Sequence, residues 1–250
     1  MCDQFRYDLQ LYNSETRTWI CKLVYSPEDF EITSKVITIG GELGSVGWVD
    51  LWRGILIYDV LLDNDNLRYI PLPLPGVPRS LRGPADRVRD VIVAEGYIKY
   101  FDMTTYIKPS STIAYVYTPH GWTAETWKLD LSKTGSKWDH DCKINVSDVP
   151  VNNTPYAQML PVPQKGEDKE SILMSLHADY PALSLHDDGV VYIMNRRERD
   201  ENFAWVIAVD VKHRNLKDVA FYNSGRPVGA GFNHLVSGIS KHLGGRSFTR

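Results

Sequence analysis

Four groups of side chains have the types and spacing that could support chemistry. Asp139-His140-Asp141-Cys142 is the most metal-like. Adjacent residues of a strand point to opposite faces, so at most two of these four can share a site. Structural zinc needs four converging ligands, and the sequence offers no complementary pair. His177, Asp179, His186 and Asp187 fall on consecutive predicted strands and could converge across a hairpin. A histidine–carboxylate pair there would suit metal binding or acid–base work, but no serine or cysteine sits in a GxSxG elbow. Asp63 and Asp65 alternate as calcium ligands do, without the loop's glycine and distal glutamate. Gly40, Gly41 and Gly44 lack the lysine and the spacing of a phosphate loop.

Arginines form two further patches: Arg79, Arg82, Arg87 and Arg89, then Arg196, Arg197 and Arg199. Both are mixed with acidic residues, so neither reads as a nucleic-acid surface. The first is the candidate interaction loop, because loops on rigid β scaffolds are where recognition surfaces lie. No catalytic residue, cofactor or metal is assigned.

The elements that would carry these residues are strands. Gly54-Ile-Leu-Ile-Tyr-Asp-Val60 is a buried strand, rich in β-branched and aromatic residues. Trp48–Trp52 precedes it, the Asp63–Asn66 turn follows, and Leu67–Ile70 returns to a proline stop at Pro71. Tyr7–Tyr12 and Thr18–Leu23 flank an Asn-Ser-Glu-Thr turn as a hairpin. Further strands are predicted at 36–40, 91–94, 96–101, 112–118, 122–131, 137–146, 172–177, 182–186, 189–194, 203–210 and 216–222. Glycine-led strands at Gly54, Gly96 and Gly189 suggest a repeat with the spacing of a four-stranded propeller blade. Phe232, Leu235, Val236, Ile239 and Leu243 recur at helical spacing, predicting one short C-terminal helix stopped by Gly244-Gly245.

The expected fold is therefore all-β and mostly antiparallel. Its propeller-like domain spans 1–231, with a short helix and flexible tail over 232–250. A β-sandwich of the same meanders is the rival. The chain opens directly on the first hairpin, so the expectation is an incomplete propeller lacking the first part of a larger protein.

At 250 residues, 43% hydrophobic and 24% charged, the chain can bury a real core. Its 7 Trp and 14 Tyr favour strands. A net charge of −3 gives no general attraction to nucleic acid or anionic membrane. No signal peptide or run of roughly 20 apolar residues is present. Three unpatterned cysteines, Cys2, Cys21 and Cys142, read as reduced thiols of a cytoplasmic or nuclear protein.

Trp48-Val-Asp-Leu-Trp-Arg-Gly-Ile-Leu56, Leu67-Arg-Tyr-Ile-Pro-Leu-Pro73, Arg89-Asp90-Val91 and Gly121-Trp122 with Thr126-Trp127 resemble a plant family. Its members are uncharacterised and carry a domain of unknown function, family 1618. They are similar to F-box-associated and kelch-like propellers. The resemblance implies an intracellular plant protein, with no activity or site residues to carry over. The expectation is a non-enzymatic protein–protein interaction module, in a narrower form recruiting substrates to a ubiquitin ligase. The alternative is a hydrolase or metal-dependent enzyme using His140, His177, Asp179 or His186.

Overall fold

The computed structural model describes residues 5–30, 33–73, 83–109, 117–133, 135–151, 155–163, 169–223 and 225. Arg79, Arg82 and the predicted helix at 232–243 lie outside them, as does most of the strand predicted at 112–118. The fold is all-β and antiparallel, and the chain divides into two compact units, 1–85 and 86–250. Among the described residues, no helix is long and apolar enough to cross a membrane.

The first unit begins with a hairpin, β1 (Phe5–Asn13) and β2 (Thr18–Ser26), in unbroken register from Phe5↔Ser26 to Asn13↔Thr18. A four-stranded meander follows: β3 (Lys35–Gly40), β4 (Ser45–Asp50), β5 (Gly54–Asp59) and β6 (Arg68–Pro71). All six residues of β5 are buried, as its apolar run requires. Pro71 is the last residue of β6, where a missing N–H costs the ladder nothing further. Tyr7, Leu9 and Leu11 turn one face of the hairpin onto Val24, Leu56, Tyr58 and Leu67. The segment after β5 also seals the end of β2. Tyr25 donates its N–H to the Asp65 carbonyl and accepts from the Leu67 N–H, each at 2.8 Å.

The second unit holds two more meanders. One is β7 (Arg89–Ala94), β8 (Tyr97–Pro109), β9 (Tyr117–Asp130) and β10 (Asp139–Asn145). The other is β11 (His177–Leu183), β12 (Val190–Arg196), β13 (Phe203–Asp210) and β14 (Asn215–Asn223). Phe101, Met103, Trp122 and Ile144 of the first share one buried cluster with Val191, Ile193, Ile207 and Val209 of the second. Each such side chain contributes about 1.5–3 kcal/mol on leaving water.

Two sequence expectations are corrected. Residues 172–177 do not form a strand: Lys169–Ser175 is a 3-10 helix, and the next strand starts at His177. Ile172, Leu173 and Leu176 are all buried, at a spacing that a helical turn, and not an alternating strand, puts on one side. The glycine repeat is also out of step. Gly96 and Gly189 have φ of 81° and 76° and precede the second strand of their sheets. Their counterpart in the first unit is Gly44, with φ of 60°, just before β4. Gly54 opens a third strand instead, where the close approach of Tyr69 and the Ile70 carbonyl leaves no room for a Cβ.

In its true register the repeat is sharper. The third strand of every four-stranded sheet ends in aspartate: Asp59, Asp130 and Asp210. Asp210 Oδ1 accepts from the N–H groups of Lys212 and His213, and Arg214 then adopts φ of 53°. Asn13 does the same at the end of β1, accepting from Glu15 and Thr16, with Arg17 at φ of 55°. The β1–β2 hairpin is thus built as the outer hairpin of a sheet.

Candidate functional site

Within the second unit, charged side chains from both sheets line a cleft of about 100 Å3. Lys99 and Lys128 are cross-strand partners on β8 and β9, which would repel if left alone. Carboxylates separate them. Lys99 Nζ lies 2.5 Å from Glu95 and 2.7 Å from Asp188, while Lys212 lies 2.6 Å from Asp188 and 3.7 Å from Asp141. Asp141 in turn holds Lys128 at 2.9 Å. Turns aim these groups. Glu95-Gly96, both with positive φ, form the tight connection between β7 and β8, and Asp188-Gly189 leads into β12.

Electrostatics fix what this cleft can do. Burial raises the Asp188 carboxyl, but hydrogen bonds from Lys212 and Lys99 outweigh it and hold the group at about 2. Lys212 is raised chiefly by its bond to Asp188. Burial lowers Lys99, yet Asp188 and Glu95 bring it out above its ordinary value. A nucleophilic or Schiff-base lysine needs the opposite shift. The arrangement is a salt-bridge network joining the two sheets. Thr126 also lines the cleft, with its hydroxyl buried and unpaired among the described residues.

A second ionic cluster surrounds Asp179. Arg87 donates to both carboxylate oxygens at 2.9 Å, and Arg196, only 1% exposed, donates from Nη2 at 2.6 Å. Asp179 sits where the β11–β12 register shifts, and Tyr180 beside it has φ of 52°, strained for an aromatic residue. His177 pairs with Arg196 across the ladder. Burial first, then the Arg199 charge, pushes its imidazole below the usual range.

The structure disperses the other candidates. His177 and Asp179 lie at one end of β11, whereas His186 and Asp187 follow the other end, roughly 20 Å away at strand rise. His186 and Asp187 donate backbone N–H groups to Ser184 Oγ as a turn. His140 stands 3.4 Å from Glu125 and edge-on to Trp127. Asp141 serves Lys128, and the Cys142 thiol donates to the Val211 carbonyl. Among the described residues, no three His, Cys, Asp or Glu side chains converge as a metal site. Asp63 and Asp65 both receive Lys22 Nζ, at 2.9 and 3.2 Å.

Of the predicted arginine loop, Arg87 is committed to Asp179, and Arg89, 4% exposed, donates to Asp102 at 2.5 Å. In the second patch, Arg196 is buried on Asp179 and Arg197 binds the Val162 carbonyl.

A feature that sequence reasoning missed lies on the β1–β2 hairpin. Tyr12 and Trp19 are cross-strand partners with ring centroids 5.1 Å apart, 52% and 68% exposed. Leu23, 42% exposed, continues the same face. The signal was present in the symmetric placing of Tyr12 and Trp19 about the turn.

Fold and site together define an all-β protein of antiparallel meanders whose buried charges are spent on one another. The sequence profile of the family described as Protein of unknown function (DUF1618) matches residues 48–192, more than half of the chain. The chain belongs to this family. No curated protein and no solved structure shows a significant match.

Proposed function

We propose that the chain is a non-enzymatic protein–protein interaction module that docks partners on the aromatic face of β1 and β2. The observation that carries this reading is the exposed Tyr12–Trp19 pair. Isolated exposed apolar residues are ordinary, but a Tyr–Trp ring pair in contact across two strands, with exposed Leu23 on the same face, is a denser apolar display. Tyr and Trp are the side chains that dominate binding energy at interfaces, because they bury large, rigid area at small entropic cost. The ionic clusters support the same reading from the other side. Their lysines and arginines sit against carboxylates in mutual pairs, as structural ties do.

The test is affinity capture of the tagged chain with quantitative mass spectrometry, beside the variant Tyr12→Ala/Trp19→Ala. Each truncation at such a centre costs about 2 kcal/mol, roughly 30-fold in affinity. Partners that dock on this face are expected to vanish from the double variant; an unchanged set sinks the reading. Its narrower form, recruitment of substrates to a ubiquitin ligase, rests only on the analogy of the sequence motifs with F-box-associated propellers. Ligase adaptors that are captured with the wild type and do not depend on Tyr12 and Trp19 support that form. Their absence removes it.

A further inference from the structure

The cleft between the two sheets of the second unit carries its charges in alternation. Glu95, Lys99, Asp188, Lys212, Asp141 and Lys128 follow one another as carboxylate and ammonium, each neighbouring two an ion pair. Lys99 and Lys128 are cross-strand partners, so the series bends back on itself. It does not close. Among the described residues, the Glu95 carboxylate meets only Lys99, and the Lys128 ammonium meets only Asp141 and the face of Tyr97. Two ends of opposite sign therefore border one cleft.

Beneath this rim lies a group without an answer. Thr126 is two residues from Lys128 along β9, so both side chains point to the same face of the sheet. It pairs with Phe101 and stands where the charged rim meets the apolar core. Thr126 is 8% exposed, and its hydroxyl has no hydrogen-bond partner among the described residues. A buried hydroxyl left so is destabilising, and a group entering from the cleft would satisfy it. The cleft measures about 100 Å3. One water needs about 10–15 Å3 of such space, and drug-sized ligands occupy about 300–1,000 Å3. The occupant is therefore larger than a water and smaller than a drug.

Three ammonium groups and three carboxylates leave the rim without net charge. A simple anion or cation would meet as many like charges as opposite ones. A zwitterion meets an opposite charge at each of its ends. We propose that the cleft binds a small zwitterion of the free α-amino acid type, with its ammonium on Glu95 and its carboxylate on Lys128 and the Thr126 hydroxyl. The ligand joins the two loose ends of the series. This site lies in the other unit from the aromatic hairpin and uses none of its residues.

The probe is L-alanine, titrated into the isotopically labelled full chain and followed by the amide shifts of Thr126 and Gly189. Propionate lacks only its ammonium, and ethylammonium only its carboxylate. L-Alanine is expected to move both amides saturably, at least tenfold more tightly than either half. Thr126→Val removes the hydroxyl at little change in size and is expected to weaken L-alanine about tenfold. Glu95→Gln is expected to bring L-alanine down to the affinity of propionate and to leave propionate unchanged. That side chain is 58% exposed, so the second variant keeps the proposal testable even if the first fails to fold. No saturable shift with L-alanine leaves the Thr126 hydroxyl to water and overturns the proposal. So does propionate binding as tightly as L-alanine, the mark of a plain anion site, or an affinity indifferent to both variants. No protein partner is read, so failure here is separate from failure of the capture experiment.

Discussion

Asp179 shows how much one carboxylate can organise. It answers two guanidinium groups, one of them almost wholly enclosed, and it does so from a register shift beside a residue in the left-handed region. Burying Arg196 is tolerable because that charge is answered at hydrogen-bond distance. Asp179→Asn keeps the volume and removes the charge. Taking one partner from a buried pair costs about 3–5 kcal/mol, mostly for the charge left behind. Chemical denaturation of the variant should show a loss of that order. A loss under about 1 kcal/mol, the scale of an exposed pair, would mean the cluster is a surface ornament. No local pattern marks this cluster: Arg87 is 92 residues from Asp179 along the chain, and Arg196 joins them through the β11–β12 pairing. His177 stands beside them with a depressed pKa, so its proton is taken up by the unfolded chain first. Stability associated with it is present above about pH 6.5 and falls on acidification below that value.

At the scale of elements, what the chain's pattern revealed and what it hid follow one physical line. Alternation and β-branched runs marked β1, β2, β5, β13 and β14; β5 and β13 are buried almost throughout, whereas β1 alternates half-buried with exposed residues. The short apolar run at 172–176 has too few residues for its period to be read, and it is helical. The glycines misled because glycine serves two needs, positive φ at Gly44, Gly96 and Gly189, and space at Gly54. That distinction is testable. A Cβ at Gly54 would stand 2.6 Å from the Ile70 carbonyl oxygen, which is ladder backbone and cannot swing aside. Gly54→Ala should destabilise the protein by about 1–3 kcal/mol through forced backbone shift. An unchanged melting temperature would show that the β5–β6 ladder is looser than described.

On the scale of the whole molecule, the family segment and the structural units do not coincide. The match starts at Trp48, inside β4, and ends at Tyr192, inside β12. A fragment of residues 48–192 would lose β3 from one sheet and β13 and β14 from another. Those last strands cover Val191, which is fully buried in the intact chain. The fragment is therefore expected to lack a cooperative thermal transition and to bind an apolar dye, whereas the full chain unfolds sharply. A cooperative transition in the fragment would show that the missing strands are dispensable. The aromatic hairpin precedes the matched segment, so the family pattern describes the scaffold and not the surface on which the proposed function rests.

Strand order in every sheet follows chain order, and this sets a timetable for synthesis. A ribosome adding about 5–20 residues per second releases each meander as a finished set of neighbours, so no sheet waits for a strand made long afterwards. The β1–β2 hairpin precedes all three meanders in the chain, so its two strands can pair before any of them is made.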